Sequence, residues 1–276
     1  MLEYGHGDHL ECVADLDDLT NFLLKDLLTN GVPEDSVLVH GIFFRDTSPS
    51  QQRVVAVSSS DPVLSVLAMI CTNEAENVNE IVAVYPFVKQ AENRSLRIKE
   101  ILEWPNEFEA TIRAATEDDI EISFFDTKYY KNKGIYEIGG SYDFRISALA
   151  YNAEVLVERS FSLAESSPLV AILRADHGPE FDEEGNVKPI TVDLGGMVSL
   201  LSTGDHLEHN YEFQSPVGAV EEAELFGERF YALQITTSRD PDGSVRLFAK
   251  QPFLGERLKE GDPVRGVLWL QGYLAE

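Results

Sequence analysis

The sequence predicts an α+β protein that is mainly β and in which one strand-rich unit occurs twice. Three observations support this fold class. Residues 98–154 and 220–276 align with the same offset, 122 residues, at both ends (220 − 98 and 276 − 154). Each span contains alternating, β-branched and aromatic segments on either side of turn residues, which is typical of paired strands. The clearest helical patterns lie before residue 95, in a smaller N-terminal segment.

The alignment of the two copies extends along their whole length. The aligned pairs include Ile98 with Val220, Trp104 with Phe226, Ile120 with Val245, Gly139 with Gly261 and Tyr151 with Tyr273. The offset rises to 125 at the third pair (245 − 120) and returns to 122 at the fourth (261 − 139), so the length differences fall in turns. Self-similarity of this kind indicates a repeated structural unit, and we interpret it as an internal duplication.

Each copy combines a long first pair of strands, a third strand, a connector of variable length and a closing strand. The closing strands are expected at 142–157 and 264–274, each after a glycine-containing turn. This arrangement resembles the OB fold, a small, partly open barrel of five strands. The resemblance covers 114 of the 276 residues (two spans of 57) and includes no diagnostic motif. It implies a binding role, for an oligonucleotide, an oligosaccharide or a protein segment, and leaves the ligand open.

The chain is expected to contain four segments. They are a small α+β domain (1–95), a first OB-like barrel (96–157), a bridging insert (158–219) and a second OB-like barrel (220–276). In the first segment, Asp15 is expected to cap one helix, and Asp61-Pro62 is expected to start another over residues 63–72. In the insert, the apolar run Pro168–Ala175 is expected to be a buried strand, and the insert is expected to pack on the barrels.

The chain is strongly acidic. Its 22 Lys and Arg residues and 48 Asp and Glu residues give a net charge of −26. A field of this sign repels nucleic acid and anionic membranes, so the expected partner is another protein. Divalent cations are also possible partners of such a surface. The alternative is that the charge serves solubility or reflects a saline or acidic environment.

Cysteine usage and hydropathy indicate a cytoplasmic protein without a membrane partner. The two cysteines, Cys12 and Cys71, form no Cys-x-x-Cys motif, which suits a reducing compartment and excludes a zinc site built from cysteines. The acidic N-terminus does not have the pattern of a signal peptide. The longest apolar run, Pro62–Cys71, is too short to span a bilayer.

A motif of histidine and carboxylate residues occurs twice and suggests a divalent metal. Residues 7–11 and 204–208 both read Gly-Asp-His-Leu-Glu. His206, Glu208 and His209 are the candidate ligands, because zinc, manganese and iron bind imidazole and carboxylate groups. Their order differs from the helical His-Glu-x-x-His pattern. The alternative is a pair of solvated surface loops, and the two pentapeptides lie outside the aligned copies.

The connector of the first copy and the last strand supply candidate ligand-binding residues. Lys128, Tyr129 and Tyr130 begin the sequence Lys-Tyr-Tyr-Lys-Asn-Lys, in which basic and aromatic groups alternate as they do in binding sites for single-stranded nucleic acid. The alternative is that the tyrosines close the end of the barrel. Trp269 and Tyr273 share one face of the closing strand, where they either line a ligand groove or pack in a core.

The motif content favours binding over catalysis. The sequence lacks a Walker loop, a dinucleotide-binding glycine fingerprint and a Gly-x-Ser-x-Gly elbow. The leading hypothesis is therefore a binding or adaptor protein whose barrels engage a protein or an extended ligand. One alternative is a metal-dependent hydrolase that uses His206, Glu208 and His209, with or without His6 and His9. Another is an acidic mimic of nucleic acid that occupies a basic partner.

Overall fold

The computed structural model describes residues 7–14, 27–39, 52–73, 78–204, 209–225, 227–238 and 243–275. These residues are mainly β. They form a four-stranded antiparallel sheet, a nine-stranded mixed sheet and a two-stranded antiparallel sheet. Across the described ranges, the helices all fall short of the length and apolar character needed to cross a membrane.

The elements are distributed along the whole described chain. In chain order the strands are β1 (Val32–Val39), β2 (Gln52–Ser58), β3 (Leu64–Asn73), β4 (Val78–Val88), β5 (Glu92–Glu103), β6 (Ala110–Ala115), β7 (Glu121–Asp126), β8 (Ser141–Val155), β9 (Ser160–Ser162), β10 (Thr191–Asp193), β11 (Ser199–Ser202), β12 (Asn210–Leu225), β13 (Glu228–Thr236), β14 (Ser244–Lys250) and β15 (Pro263–Leu274). The helices are Gly7–Leu10, Leu28–Asn30, Tyr129–Asn132, Pro168–His177 and Gln251–Leu254. The predicted helix that begins at Asp15 falls mostly on residues 15–26, which lie outside the described ranges.

The N-terminal sheet is an antiparallel meander in the order β1-β2-β3-β4. The predicted helix over residues 63–72 is wrong, because this segment is β3 and pairs with β2 and β4. Asp61 does cap the start of the segment, since its Oδ1 accepts hydrogen bonds from the backbone N–H groups of Val63 and Leu64 at 2.8 and 3.0 Å. The residues from Leu64 to Met69 are all buried. A short, continuously apolar run fits a strand covered on both faces as well as a buried helix.

The nine-stranded sheet closes into two rings that share a pair of strands. The first ring runs β5-β6-β7-β15-β8 and closes where β8 pairs with β5. The second ring runs β12-β13-β14-β8-β15 and closes where β12 pairs with β15. β8 and β15 are antiparallel to each other and belong to both rings, whereas β7 pairs with β15, and β14 with β8, in parallel. The architecture is therefore barrel-like.

The two rings contain the same order of elements. β5, β6, β7, the helix Tyr129–Asn132 and β8 are followed, after the insert, by β12, β13, β14, the helix Gln251–Leu254 and β15. The first strand of each set begins at Glu92 or Asn210, ahead of the starts predicted from the alignment. Each set is therefore longer than the aligned span.

Two hydrophobic cores lie on opposite faces of the shared strands. One fills the rings, and the other lies between the rings and the N-terminal sheet. In β15, Leu268 and Leu270 belong to the ring core, whereas Trp269 belongs to the core beneath the N-terminal sheet. Phe124 and Phe125 of β7 divide in the same way. Because both faces are buried, these strands can carry apolar residues at consecutive positions.

The insert between β8 and β12 contains a helix where a strand was expected. The prediction of a buried strand over Pro168–Ala175 is wrong, because the helix Pro168–His177 occupies this segment. Ser167 has the extended backbone of an N-cap, and the proline that follows is suited to the first helical turn. The insert contacts the second ring through the pairing of β11 with β12 and an ion pair of 2.8 Å between Arg159 and Asp262.

Candidate functional site

The predicted metal ligands are described only in part. His206 and Glu208 lie outside the described residues, as does His6. His209 is fully buried, and its Nδ1 lies 3.1 Å from Oγ1 of Thr111. Within the described ranges, no group of three or more His, Cys, Asp and Glu side chains is arranged to hold a metal ion. The metal site therefore remains a prediction that depends on residues 205–208.

The fold brings His9 of the first pentapeptide close to His209, which directly follows the second. The centroids of the two imidazole rings are 5.4 Å apart. His9 is buried and stacks on Trp269, with a centroid distance of 4.1 Å and an interplanar angle of 7°. The Nδ1 of His9 is hydrogen-bonded to the hydroxyl of Tyr151. Trp269, a predicted ligand-binding residue, thus lies in a packed core against the N-terminal segment.

His9→Ala is expected to lower the free energy of unfolding by about 2 kcal/mol, because the change leaves a cavity and removes a stacked ring. Water would then reach Trp269, and its fluorescence should move to longer wavelength. Urea unfolding followed by tryptophan emission measures both effects. His177→Ala, at the exposed end of the insert helix, is the matched control and should change neither. An unaltered emission maximum in His9→Ala would contradict the stacked arrangement.

Asp126, at the end of β7, is a buried carboxyl group beside the predicted basic and aromatic segment. It accepts hydrogen bonds from the backbone N–H of Lys128 at 2.9 Å and from the hydroxyl of Tyr136 at 2.6 Å. Burial raises the pKa of Asp126 from 3.8 to about 7, and the hydrogen bonds offset this only in part. Asp126 therefore titrates near neutral pH, which the sequence did not indicate.

Tyr129 and Tyr130, both predicted to bind a ligand, are buried in different cores. Tyr129 belongs to the ring core and donates its O–H to Oε2 of Glu103 at 2.9 Å. Tyr130 belongs to the core beneath the N-terminal sheet. Burial raises the pKa of both phenols, so both remain neutral at physiological pH. These positions suit packing better than contact with a ligand from solvent.

The other two predicted ligand-binding residues, Lys128 and Tyr273, line an open groove between the N-terminal sheet and the rings. The Lys128 ammonium lies 5.1 Å from the centroid of the Tyr273 ring and 5.3 Å from that of Phe87. Two aromatic faces therefore attract this cation. The hydroxyl of Tyr273 donates a hydrogen bond of 2.6 Å to the backbone carbonyl of Lys89, which ties β15 to the end of β4.

The insert carries most of the exposed large apolar side chains of the described chain. Within residues 157–204, all of which are described, Val170 is the single buried residue. The exposed apolar residues of this segment are Val157, Phe161, Leu169, Ile172, Phe181, Val187, Met197 and Leu201. They are eight of the thirteen large hydrophobic residues that are exposed in the described part. The insert thus has defined secondary structure but almost no core.

Two surfaces of the described chain are open to partners from solvent. The groove at Lys128 and Tyr273 presents cationic and aromatic groups, which suit an anionic ligand. The insert exposes several large apolar side chains, which suit a protein partner. No protein-family model matches the chain, and neither does any curated protein or solved structure.

Proposed function

We propose that this chain is an adaptor protein without catalytic activity, which binds another protein through residues 157–204, a segment that comprises Val157 and most of the insert. The observation that carries the proposal is the exposure of eight large apolar side chains on a segment with one buried residue. Isolated apolar residues are common on protein surfaces, but their concentration in one segment is typical of an interaction site.

The helix Pro168–His177 supplies the centre of the proposed surface. Leu169 and Ile172 lie three positions apart, on one face of the helix, and are 47% and 57% exposed. Val170 is the one buried residue of the helix. A short helix gains most of its stability from packing of its apolar face. A partner that covers Leu169 and Ile172 would supply that packing, worth about 1–2 kcal/mol per side chain.

Charge complementarity indicates the class of partner. Residues 157–204 contain three Lys and Arg residues and eight Asp and Glu residues, a net charge of −5 (3 − 8). Two of the cations already form ion pairs, Arg174 with Glu165 and Arg159 with Asp262. The fitting partner therefore has an apolar centre and a rim of Lys and Arg. A second copy of this chain is disfavoured as the partner, because each copy carries a charge of −26.

The proposal also treats the two rings as duplicated OB-like barrels that present the insert on a rigid base. The register of the shared strands supports this interpretation. Ala148 of β8 pairs with Leu270 of β15, which lies 122 positions later (270 − 148). The two partners are therefore equivalent residues of the two aligned copies. The flanking pairs are Leu149 with Trp269 and Ser147 with Gln271. Adding 122 to the β8 residue of one pair gives the β15 residue of the other pair (147 + 122 = 269 and 149 + 122 = 271), so equivalent residues of the two copies make equivalent contacts. Each ring takes its fifth strand from the other copy.

Binding of an amphipathic cationic peptide tests the proposal. A fluorescent helical peptide of Leu and Lys, with its leucines on one face, is expected to bind the full chain at physiological salt. Leu169→Ser/Ile172→Ser should weaken that binding at least about tenfold, because the variant loses the apolar centre and keeps the charge. Fluorescence anisotropy measures the affinity, and circular dichroism checks that the variant is folded.

The controls separate apolar docking from general attraction to an acidic protein. A peptide of the same composition without an apolar face should bind less tightly. Ile135→Ser/Ile138→Ser removes two exposed isoleucines, also three positions apart, outside the insert and should bind like the native chain. Equal affinity for the two peptides, or equal losses in the two variants, would overturn the proposal. So would a concentration-dependent dimer that the insert variant abolishes, since a second copy would then be the partner.

A further inference from the structure

A cationic groove lies where the N-terminal sheet meets the shared strands of the rings. Its volume is about 560 Å³, and Phe87 and Tyr273 form part of its wall. Its charged lining residues are Lys89, Lys128, Arg145, Arg246, Glu34 and Glu92. Four cations and two carboxylates give the lining a charge of +2 (4 − 2), whereas the whole chain carries −26. The groove is thus locally cationic on an acidic protein.

The four cations come from separate parts of the chain and are held by local contacts. Lys89 follows β4 and donates from Nζ to the carbonyl of Ser59 at 2.9 Å. Lys128 follows β7 and lies over two aromatic rings. Arg145 of β8 is exposed and makes a long hydrogen bond of 3.4 Å to the carbonyl of Ala91. Ammonium and guanidinium groups carry several donors each, so these contacts leave further N–H groups for a ligand.

The carboxylates of the groove neutralise these cations only in part. Glu34 is shared between two lysines, at 3.9 Å from Nζ of Lys89 and 4.0 Å from Nζ of Lys128. These separations exceed the length of a hydrogen bond, so Glu34 acts as a nearby charge and not as a direct partner. Arg246 is paired with Glu221, which is not among the residues that line the groove. Lys89, Lys128 and Arg145 therefore remain available to an anion.

We infer that this groove binds a small anion with two or more charged groups, the chemistry shared by organic phosphates and polycarboxylates. One charged group would engage Lys89 and Lys128, and a second would engage Arg145, whose planar donors suit phosphate or carboxylate oxygens. The negative charge of the whole chain does not prevent this binding. At physiological salt, charges more than about 8 Å away are largely screened, so the lining dominates the local field.

Isothermal titration calorimetry of the full chain with pyrophosphate and with citrate tests the inference. The two anions distinguish a site for phosphates from a site for polycarboxylates. At least one of them should bind at constant ionic strength, and sulfate should bind more weakly because it is the smaller anion. Arg145→Gln is expected to weaken the binding by about tenfold, the typical loss for one charge-assisted contact. Glu34→Gln is expected to strengthen it, because this change removes a competing carboxylate and keeps an oxygen for the Ser58 hydroxyl.

Arg145→Gln and Glu34→Gln are expected to change the affinity in opposite directions. A general loss of fold would weaken binding in both variants, whereas a site in the groove requires one loss and one gain. Arg265→Gln, which removes an exposed arginine of β15 paired with Glu154 outside this groove, is the matched control and should leave the affinity unchanged. The inference is overturned if neither anion binds, if Glu34→Gln weakens the binding, or if Arg265→Gln has the effect expected of Arg145→Gln.

Discussion

Asp126→Asn is expected to stabilise the protein by about 4 kcal/mol at pH 8 and by only about 1–2 kcal/mol near pH 5. Burial raises the folded-state pKa of Asp126 to about 7 from 3.8, and each unit corresponds to about 1.4 kcal/mol. The folded state therefore keeps this proton where the unfolded state has released it. The resulting stability is fully present below pH 3.8 and is lost as the pH rises through 7. Asparagine cannot ionise. Its carbonyl oxygen can accept from the Lys128 N–H in place of Oδ1, and its NH2 group, in place of Oδ2, can donate to the hydroxyl oxygen of Tyr136.

Urea unfolding at a series of pH values from 5 to 8 gives the free energy of unfolding of the variant and of the native chain. The difference between the two values measures this effect, because the contributions of the other carboxyl groups are the same in both proteins. Asp119→Asn is the control. The pKa of exposed Asp119 is lowered, chiefly by the hydrogen bond from Lys99, with Arg97 also nearby. Its contribution is therefore lost only as the pH falls, so its difference should be constant from pH 5 to 8. A constant difference for Asp126→Asn would show that the carboxyl group is not buried as described.

The sequence predicted the mainly-β class but not the registers within it. The alignment of Ile120 with Val245 is an example, because Val245 lies inside β14 whereas Ile120 precedes β7. In the structure, Phe125 of β7 pairs with Gln271, and Phe248 of β14 pairs with Leu149, the position equivalent to Gln271 (149 + 122 = 271). The offset between β7 and β14 is therefore 123 (248 − 125), whereas the alignment gave 125. A slip of two residues keeps every side chain on the same face of a strand, so periodicity cannot detect it.

The sequence predicts the wrong secondary structure for two segments, for a related reason. Residues 63–72 and 168–175 are short apolar runs that begin with proline-containing signals, and such runs fit strands and helices alike. Strand pairing on both sides decides the first case. In the second, the run forms a helix that exposes most of its apolar side chains, a result that a pattern associated with burial does not predict.

The candidate sites depended on contacts between distant parts of the chain. His9 lies in the first copy of the repeated pentapeptide and His209 directly follows the second, but their proximity and the stacking of His9 on Trp269 follow only from the fold. Lys128 and Tyr273, which the sequence predicts as ligand-binding residues from their chemistry, do share a groove. The other cations of that groove carry no local signal, because Lys89 follows the N-terminal sheet whereas Arg145 and Arg246 belong to the rings, and only the fold brings them together.

The junction of the rings also explains one glycine in particular. Gly266 of β15 pairs with Ala153 of β8, next to a register shift in that strand pair. A Cβ at Gly266 would lie 2.1 Å from the carbonyl oxygen of Asn152 and 2.9 Å from Cα of Ala153. Both are backbone atoms, so they cannot move aside by a change of rotamer. A glycine is therefore required at this position by the close approach of two backbones.

Gly266→Ala is therefore expected to lower the free energy of unfolding by about 3 kcal/mol or more, because β8 and β15 must separate and both rings depend on their pairing. Urea unfolding measures the loss. Gly272→Ala should cost less, since its Cβ would meet the side chains of Ile146 and Phe124, which can rotate. Gly134→Ala, with open space around the added methyl group, should be nearly neutral. If all three variants were equally stable, β8 and β15 would not be in the close contact on which the sharing of strands between the two rings depends.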